Sequence, residues 1–273
     1  MPDDAVNRQD PTPEEPAPAD PREWGTPEGR HMIELLWNPP GPAGRGPRQR
    51  LSLDRVVETA MALAARDGFE ALSMRRLAAE LGVGAMSLYT YVPGRDELFE
   101  LMIDRAWGDR GRADPSRPWR EQVEQVAEEA WAMYQRHGWL VSANLARLPL
   151  GPNVLDAQED LYRAVALTGL PHPDVVRVTG AVEAHVFGAA RAAVVDTRQA
   201  TATGVSYDGY WESRSSFWGT YYTPERFPTM TAIWESGGFD EVVDNHADMR
   251  FGLRMLLDGV ELAVRRAAGT PPA

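Results

Sequence analysis

The sequence predicts an all-α protein, on three observations. From Leu51 onward, apolar residues recur at the three- and four-residue spacing of helical faces. No segment alternates apolar and polar residues as a half-buried strand would, and no internal repeat is found. Around Leu81-Gly82-Val83, two short helical patterns follow one another closely enough to spell a helix-turn-helix. The 273 residues suffice for two modest domains, each with its own core.

The elements follow in order. Residues 1 to about 22 are rich in Pro, Asp, Glu and Ala without apolar periodicity, which predicts a disordered acidic tail. A short apolar patch (Met32, Ile33, Leu35, Leu36, Trp37) precedes Pro39-Pro40 and a Gly/Pro/Arg strap, expected to be extended because proline fixes φ. Residues 1–44 are therefore read as a tail and N-terminal extension. Ser52 is placed to cap a helix over 53–66, which carries Leu53, Val56, Val57, Ala60, Leu63 and Ala64 on one face and ends at Asp67-Gly68. Ser73 caps the next, whose Leu77, Ala78 and Leu81 stop at Gly82, and a third runs from near Gly84 to about Tyr91 with Leu88 inward. Pro93-Gly94 breaks the chain, and a fourth helix starts at Asp96 with Leu98, Leu101 and Met102 on one side.

After Trp107 a polar linker, GDRGRADPSRP, leads into a larger helical region. Helices are expected over 121–136, over 153–168, over 174–196, where the sequence is apolar nearly all round, and over 245–267. Residues 199–222 read as irregular and aromatic-rich. The domain boundaries drawn from this pattern are 45–107 and 108–273.

A net charge of −12 argues at first against a polyanionic partner, but the distribution matters more. Residues 1–23 hold seven acids against Arg8 and Arg22, whereas 45–95 hold eight arginines against five acids. All 28 cationic residues are arginine, through either a GC-rich coding sequence or selection for the bidentate guanidinium fork. The absence of cysteine excludes disulfides, thiolate zinc sites and cysteine nucleophiles. The five histidines (31, 137, 172, 185, 246) lack metal-ligand spacing, and no nucleophile elbow, P-loop or dinucleotide fingerprint is present. Neither enzymatic activity, a cofactor nor a metal is expected. No uninterrupted apolar run approaches the ~20 residues of a membrane span, so a cytoplasmic protein without membrane contact is expected.

The segment from Leu51 to Leu101, with its tracts SMRRLAAELGV, SLYTYV and RDELFEL, resembles the DNA-binding domain of TetR-family transcriptional regulators. The resemblance implies a three-helix, helix-turn-helix DNA-binding domain, with Arg75 reaching a guanine O6/N7 edge. An ordinary phosphate contact or an intramolecular pair is the alternative for Arg75, and Arg76 has the same choice between DNA and the domain surface. A recognition helix directs small and polar side chains of its N-terminal half at base edges. Here Gly84, Ala85, Met86 and Ser87 occupy that half. Ala85 and Met86 can pack on a thymine methyl group, or Met86 serves packing alone; Ser87 can bond a base or a phosphate. Tyr89, Thr90 and Tyr91 can reach phosphates, the alternative for the tyrosines being half-burial with wet hydroxyls. Arg45, Arg48 and Arg50 suit a groove-entering arm or an ordinary linker.

More weakly, RHGWLVSANLARLPLGPN, AVEAHVFGAARA and RFGLRMLLDGVELAV resemble the ligand-binding and dimerisation domain of the tetracycline-repressor branch. This implies a homodimer joined through a four-helix bundle of 174–196 and 245–267. Its two recognition helices would stand ~34 Å apart for a palindromic double-stranded DNA operator. It also implies a small lipophilic effector in an aromatic cavity, with Trp131, Tyr134, His185 and Phe187 as lining. Where that branch carries a magnesium-binding histidine, four residues before Gly188, this chain has Ala184, so a metal-tetracycline effector is not expected. The combined expectation is a ligand-responsive repressor, the alternative being a DNA-binding regulator controlled by a partner protein.

Overall fold

The computed structural model describes residues 25–40, 51–142, 145, 147–239 and 244–267, all helical or irregular with no strand among them. Helix α1, Pro27–Trp37, has Thr26 as its cap, accepting from Gly29 N at 3.1 Å, and Pro27 at its first position, where a missing N–H costs nothing. It buries Met32, Leu35 and Leu36 against the following domain. The apolar patch read as part of an extension is thus a docked helix; the Thr-Pro start supplies what the patch alone lacked.

The first domain follows the expected order. Helix α2, Leu53–Asp67, is capped by Ser52, and α3, Met74–Leu81, by Ser73, whose hydroxyl accepts from Arg76 N at 3.3 Å. Gly82 turns the chain at φ +67°, a left-handed conformation that a Cβ would penalise. Helix α4 spans only Ala85–Leu88, shorter than the expected run to Tyr91. No side chain caps Gly84, and Tyr91 N already bonds Leu88 O at 2.8 Å in a tightening turn before Pro93. Helix α5, Arg95–Gly108, closes a core of Val56, Ala60, Leu63, Leu77, Leu88, Leu98 and Met102.

The second domain comprises α6 (Trp119–Arg136), α7 (Pro152–Ala166), α8 (His172–Thr203), three short helices α9 (Tyr207–Glu212), α10 (Ser216–Thr220) and α11 (Pro228–Glu235), and α12 (Asn245–Ala267). Helix α8, 32 residues and therefore about 48 Å long, packs against α6, α7 and α12. Its length and average hydropathy would let it cross a bilayer, yet Glu183 and Arg191 interrupt its apolar stretch and one side is covered by those three helices. The stretch 199–222, expected to be irregular, instead continues α8 to Thr203 and then forms α9 and α10; Ser206 caps α9 by accepting from Gly209 N at 3.1 Å. From α9 to α11 the aromatics largely pack on each other, with Trp218 against Trp234 at 4.9 Å and Tyr222 against Phe227 at 5.2 Å.

Helix α5 belongs to both domains. Its buried Asp104 accepts from Asn153 N, Val154 N and Asn153 Nδ2 at 3.0, 3.0 and 2.8 Å, so a side chain of the first domain caps α7 of the second. A Cβ on Gly151 would lie 2.2 Å from Asp104 Oδ1, which explains the glycine there. Phe69, Phe99 and the fully buried Trp139 form an aromatic joint, with centroids 4.4 Å (69–99) and 6.0 Å (99–139) apart. The Trp37 indole donates to Leu150 O at 2.9 Å, tying α1 across the same junction. Asp104→Ala, which strands two backbone donors at a helix start, is expected to cost about 2 kcal/mol in urea denaturation. An unchanged midpoint would mean that water replaces the cap.

Candidate functional site

Two regions stand out, one on each domain. On the first, the turn between α3 and α4 presents a polar edge. Arg75 is exposed, and among the described residues its guanidinium has neither a hydrogen bond nor an ion pair. Its neighbour Arg76 is committed elsewhere, donating to Asp67 at 2.6 Å beside Arg66, which bridges Asp67 and Glu80. The two adjacent arginines, alike in sequence, are thereby separated into a free one and a structural one. Met86 is 78% exposed, a large apolar side chain held in water at the start of α4, and Ser87 is exposed beside it. Ala85 and Tyr91 are half-buried against the core, while Tyr89 is exposed. The Thr90 hydroxyl donates to Ser87 O at 2.7 Å, leaving only its lone pairs for a partner. Arg45, Arg48 and Arg50 lie outside the described residues.

On the second domain, α6, α7 and α8 surround a cavity of about 530 Å³ that reaches the end of α5. Its walls are mainly apolar: Trp107, Val126, Met133, Leu161, Val182, Val186 and Phe187. Tyr134 packs edge-on to Trp107 at 6.1 Å and to Phe187 at 5.4 Å, so three aromatics form one wall. Burial, helped by Glu183, pushes the Tyr134 phenol well above its ordinary value, so it stays a neutral donor. The polar groups are few: Arg110, Tyr134, Gln158 and Glu183.

The structure brings Tyr134 and Phe187 to the cavity but not Trp131 or His185. The Trp131 ring stacks on His246 at 5.0 Å, and His246 in turn bonds Glu128 at 2.7 Å, so Trp131 serves the α6–α12 contact. His185 donates from Nε2 to Met249 O at 2.8 Å and fills the space beside Gly252, where a Cβ would meet its ring at 2.3 Å. It is a seam residue between α8 and α12. Ala184, next to it, faces the cavity. Sequence reasoning missed Arg110, which sits in the polar linker after α5 and has no periodic signature. It also missed Glu183, which is three residues after Gly180 on the same side of α8.

A helix-turn-helix head joined by a shared helix to a second helical domain with a cavity is the architecture of a DNA-binding regulator. Residues 56–102 match the bacterial regulatory proteins of the tetR family, and 113–264 match the tetracyclin repressor-like C-terminal domain. The chain belongs to the TetR family of transcriptional regulators. It is 37% identical over 241 residues, 87% of each chain, to the HTH-type transcriptional repressor DrrR1 of Streptomyces coeruleorubidus. It is 34% identical over 143 residues, 52% of this chain and 61% of the relative, to an HTH-type transcriptional regulator of Saccharopolyspora erythraea. Among solved structures, ActR of Streptomyces coelicolor in complex with actinorhodin superposes with a TM-score of 0.66 at 26% identity, covering 78% of this chain and 96% of ActR. The ActR complex with (S)-DNPA superposes with a TM-score of 0.63 at 27% identity, covering 79% of this chain and 99% of that one.

Proposed function

We propose that this protein is a cytoplasmic transcriptional repressor that binds a palindromic operator as a homodimer and is released by a small molecule held in the cavity of its second domain. The observation that carries this reading is the position of the cavity: Trp107 and Arg110 line it from the end of α5, and the other end of α5 is part of the DNA-reading head. A molecule that fills the cavity better in one arrangement of α5 biases the head toward that arrangement by the difference in affinity. The ActR structures with bound small molecules and the relative named a repressor support the same direction.

In this reading Arg75 contacts a guanine, Ala85, Met86 and Ser87 face base edges, and Tyr89, Thr90 and Tyr91 meet phosphates. Arg45, Arg48 and Arg50 supply a basic arm. Dimerisation uses α8 and α12, where Phe251 and Met255, one turn apart, are 57% and 52% exposed and Gly188 and Gly259 leave open space for a close helix. In an electrophoretic mobility shift experiment, the purified protein is expected to retard the promoter fragment next to its own gene at low salt, in preference to unrelated DNA of equal length. No shift, or equal shifts, would remove the reading.

A further inference from the structure

The cavity contains a charged group that no described residue pairs with directly, although Glu129, Asp160 and Glu183 lie near enough to act on it through space. Arg110 follows α5 and lines the cavity, its Nε is buried without a hydrogen-bond partner, and its guanidinium makes no ion pair among the described residues. The surrounding arginines each have a carboxylate: Arg112 pairs with Asp156 and Asp160 at 2.7 and 2.5 Å, and Arg163, although its Nε and Nη2 are also buried without a partner, pairs with Asp160 at 2.8 Å. Glu183 lines the same cavity but stays beyond ion-pair distance of Arg110. Arg110 is part-buried, and leaving its buried Nε without an acceptor costs free energy, a cost that persists where a function uses the group.

The two charged groups of the cavity are not equivalent. A guanidinium keeps its proton throughout the accessible pH range, so the only way to balance it is to bring an anion. A carboxyl can instead neutralise itself by taking a proton, and burial already pushes the Glu183 carboxyl upward. The cation is therefore the fixed demand of the site and the acid the adjustable one. Around them Trp107, Tyr134 and Phe187 offer a wall of aromatic faces and edges suited to a flat ring system, and about 530 Å³ accommodates three fused rings.

Building on the effector reading above, we propose that the effector is an aromatic polycycle bearing a carboxylate, or an equally acidic oxygen, that closes bidentately on Arg110, with its rings against Trp107, Tyr134 and Phe187. The acidic group then supplies both the charge balance and the missing acceptor for Nε, and Glu183, protonated or accepting a ligand hydroxyl, faces the opposite edge.

Three probes of one shape test this by isothermal titration and thermal melting of the full chain: anthraquinone-2-carboxylate, its neutral carboxamide, and 2-(aminomethyl)anthraquinone. The carboxylate is expected to bind at least about 10-fold more tightly than the carboxamide, and the amine most weakly. In Arg110→Gln that preference should vanish while carboxamide binding stays within about threefold, and the unliganded variant should melt no lower than the parent because no contact is lost. Equal binding of acid and amide, or tightest binding of the amine, overturns the acidic-effector inference and leaves the cavity reading intact. A failure of all three probes to bind, with operator binding preserved, would overturn the cavity reading as well.

Discussion

Arg75→Ala is expected to lower affinity for the operator by about 1–3 kcal/mol, on the order of 10- to 100-fold, and to relax selectivity at one base pair in each half-site. The structural reason is the contrast with Arg76. Among the described residues Arg75 has no hydrogen-bond or ion-pair partner to give up on reaching DNA, whereas the Arg76 guanidinium is held by Asp67 at 2.6 Å. Arg76→Ala should therefore cost operator affinity little. It removes an exposed ion pair from the α2–α3 contact, worth at most about 1 kcal/mol of folding stability. Fluorescence anisotropy with a labelled operator, repeated over a salt series, separates the roles: loss of a base contact changes selectivity, loss of a phosphate contact weakens all sequences and flattens the salt slope. Should Arg75→Ala leave both affinity and selectivity unchanged, the α3–α4 turn is not the reading edge.

The double substitution Phe251→Glu, Met255→Glu is expected to convert the protein to a monomer in multi-angle light scattering and to reduce operator binding by at least about 100-fold. Both side chains are more than half exposed on α12, so the chain itself loses little packing when they change. If α12 forms the proposed two-fold interface, the two substitutions in each subunit bring four like charges into one apolar contact. Retention of the parent mass would show that dimerisation, if it occurs, uses a different face. A monomer that still binds the whole operator as tightly as the parent would show that the two heads are not linked in binding.

Much of this molecule was legible in local signals. Ser52 and Ser73 announce α2 and α3, Gly82 ends α3 in the left-handed conformation, and the one-face spacing of Val56, Ala60 and Leu63 on α2 and of Leu98, Leu101 and Met102 on α5 points to the core they form. The cavity residues were only half legible. Along a helix that is apolar nearly all round, such as α8, periodicity does not tell which face meets a void and which meets another helix. Phe187 turned out to face the void and His185 the α12 seam. Trp131 and Tyr134 are three residues apart on α6, yet the rotation between them is enough to send one to His246 and the other into the cavity. Arg110 was invisible for a different reason. A charged residue in a polar stretch reads as solvated, and only the three-dimensional packing of α6, α7 and α8 around the cavity encloses its Nε. Helix α1 was missed because a five-residue apolar patch between prolines is too short to show a period, although Thr26-Pro27 is itself a helix-start signal.

The docking of Trp37 on Leu150 O has a practical side. A truncated chain that begins downstream of this tryptophan would leave Met32, Leu35 and Leu36 out of the junction and expose the surfaces of α5 they cover. A chain without α1 would then hold the junction between the head and the second domain less firmly.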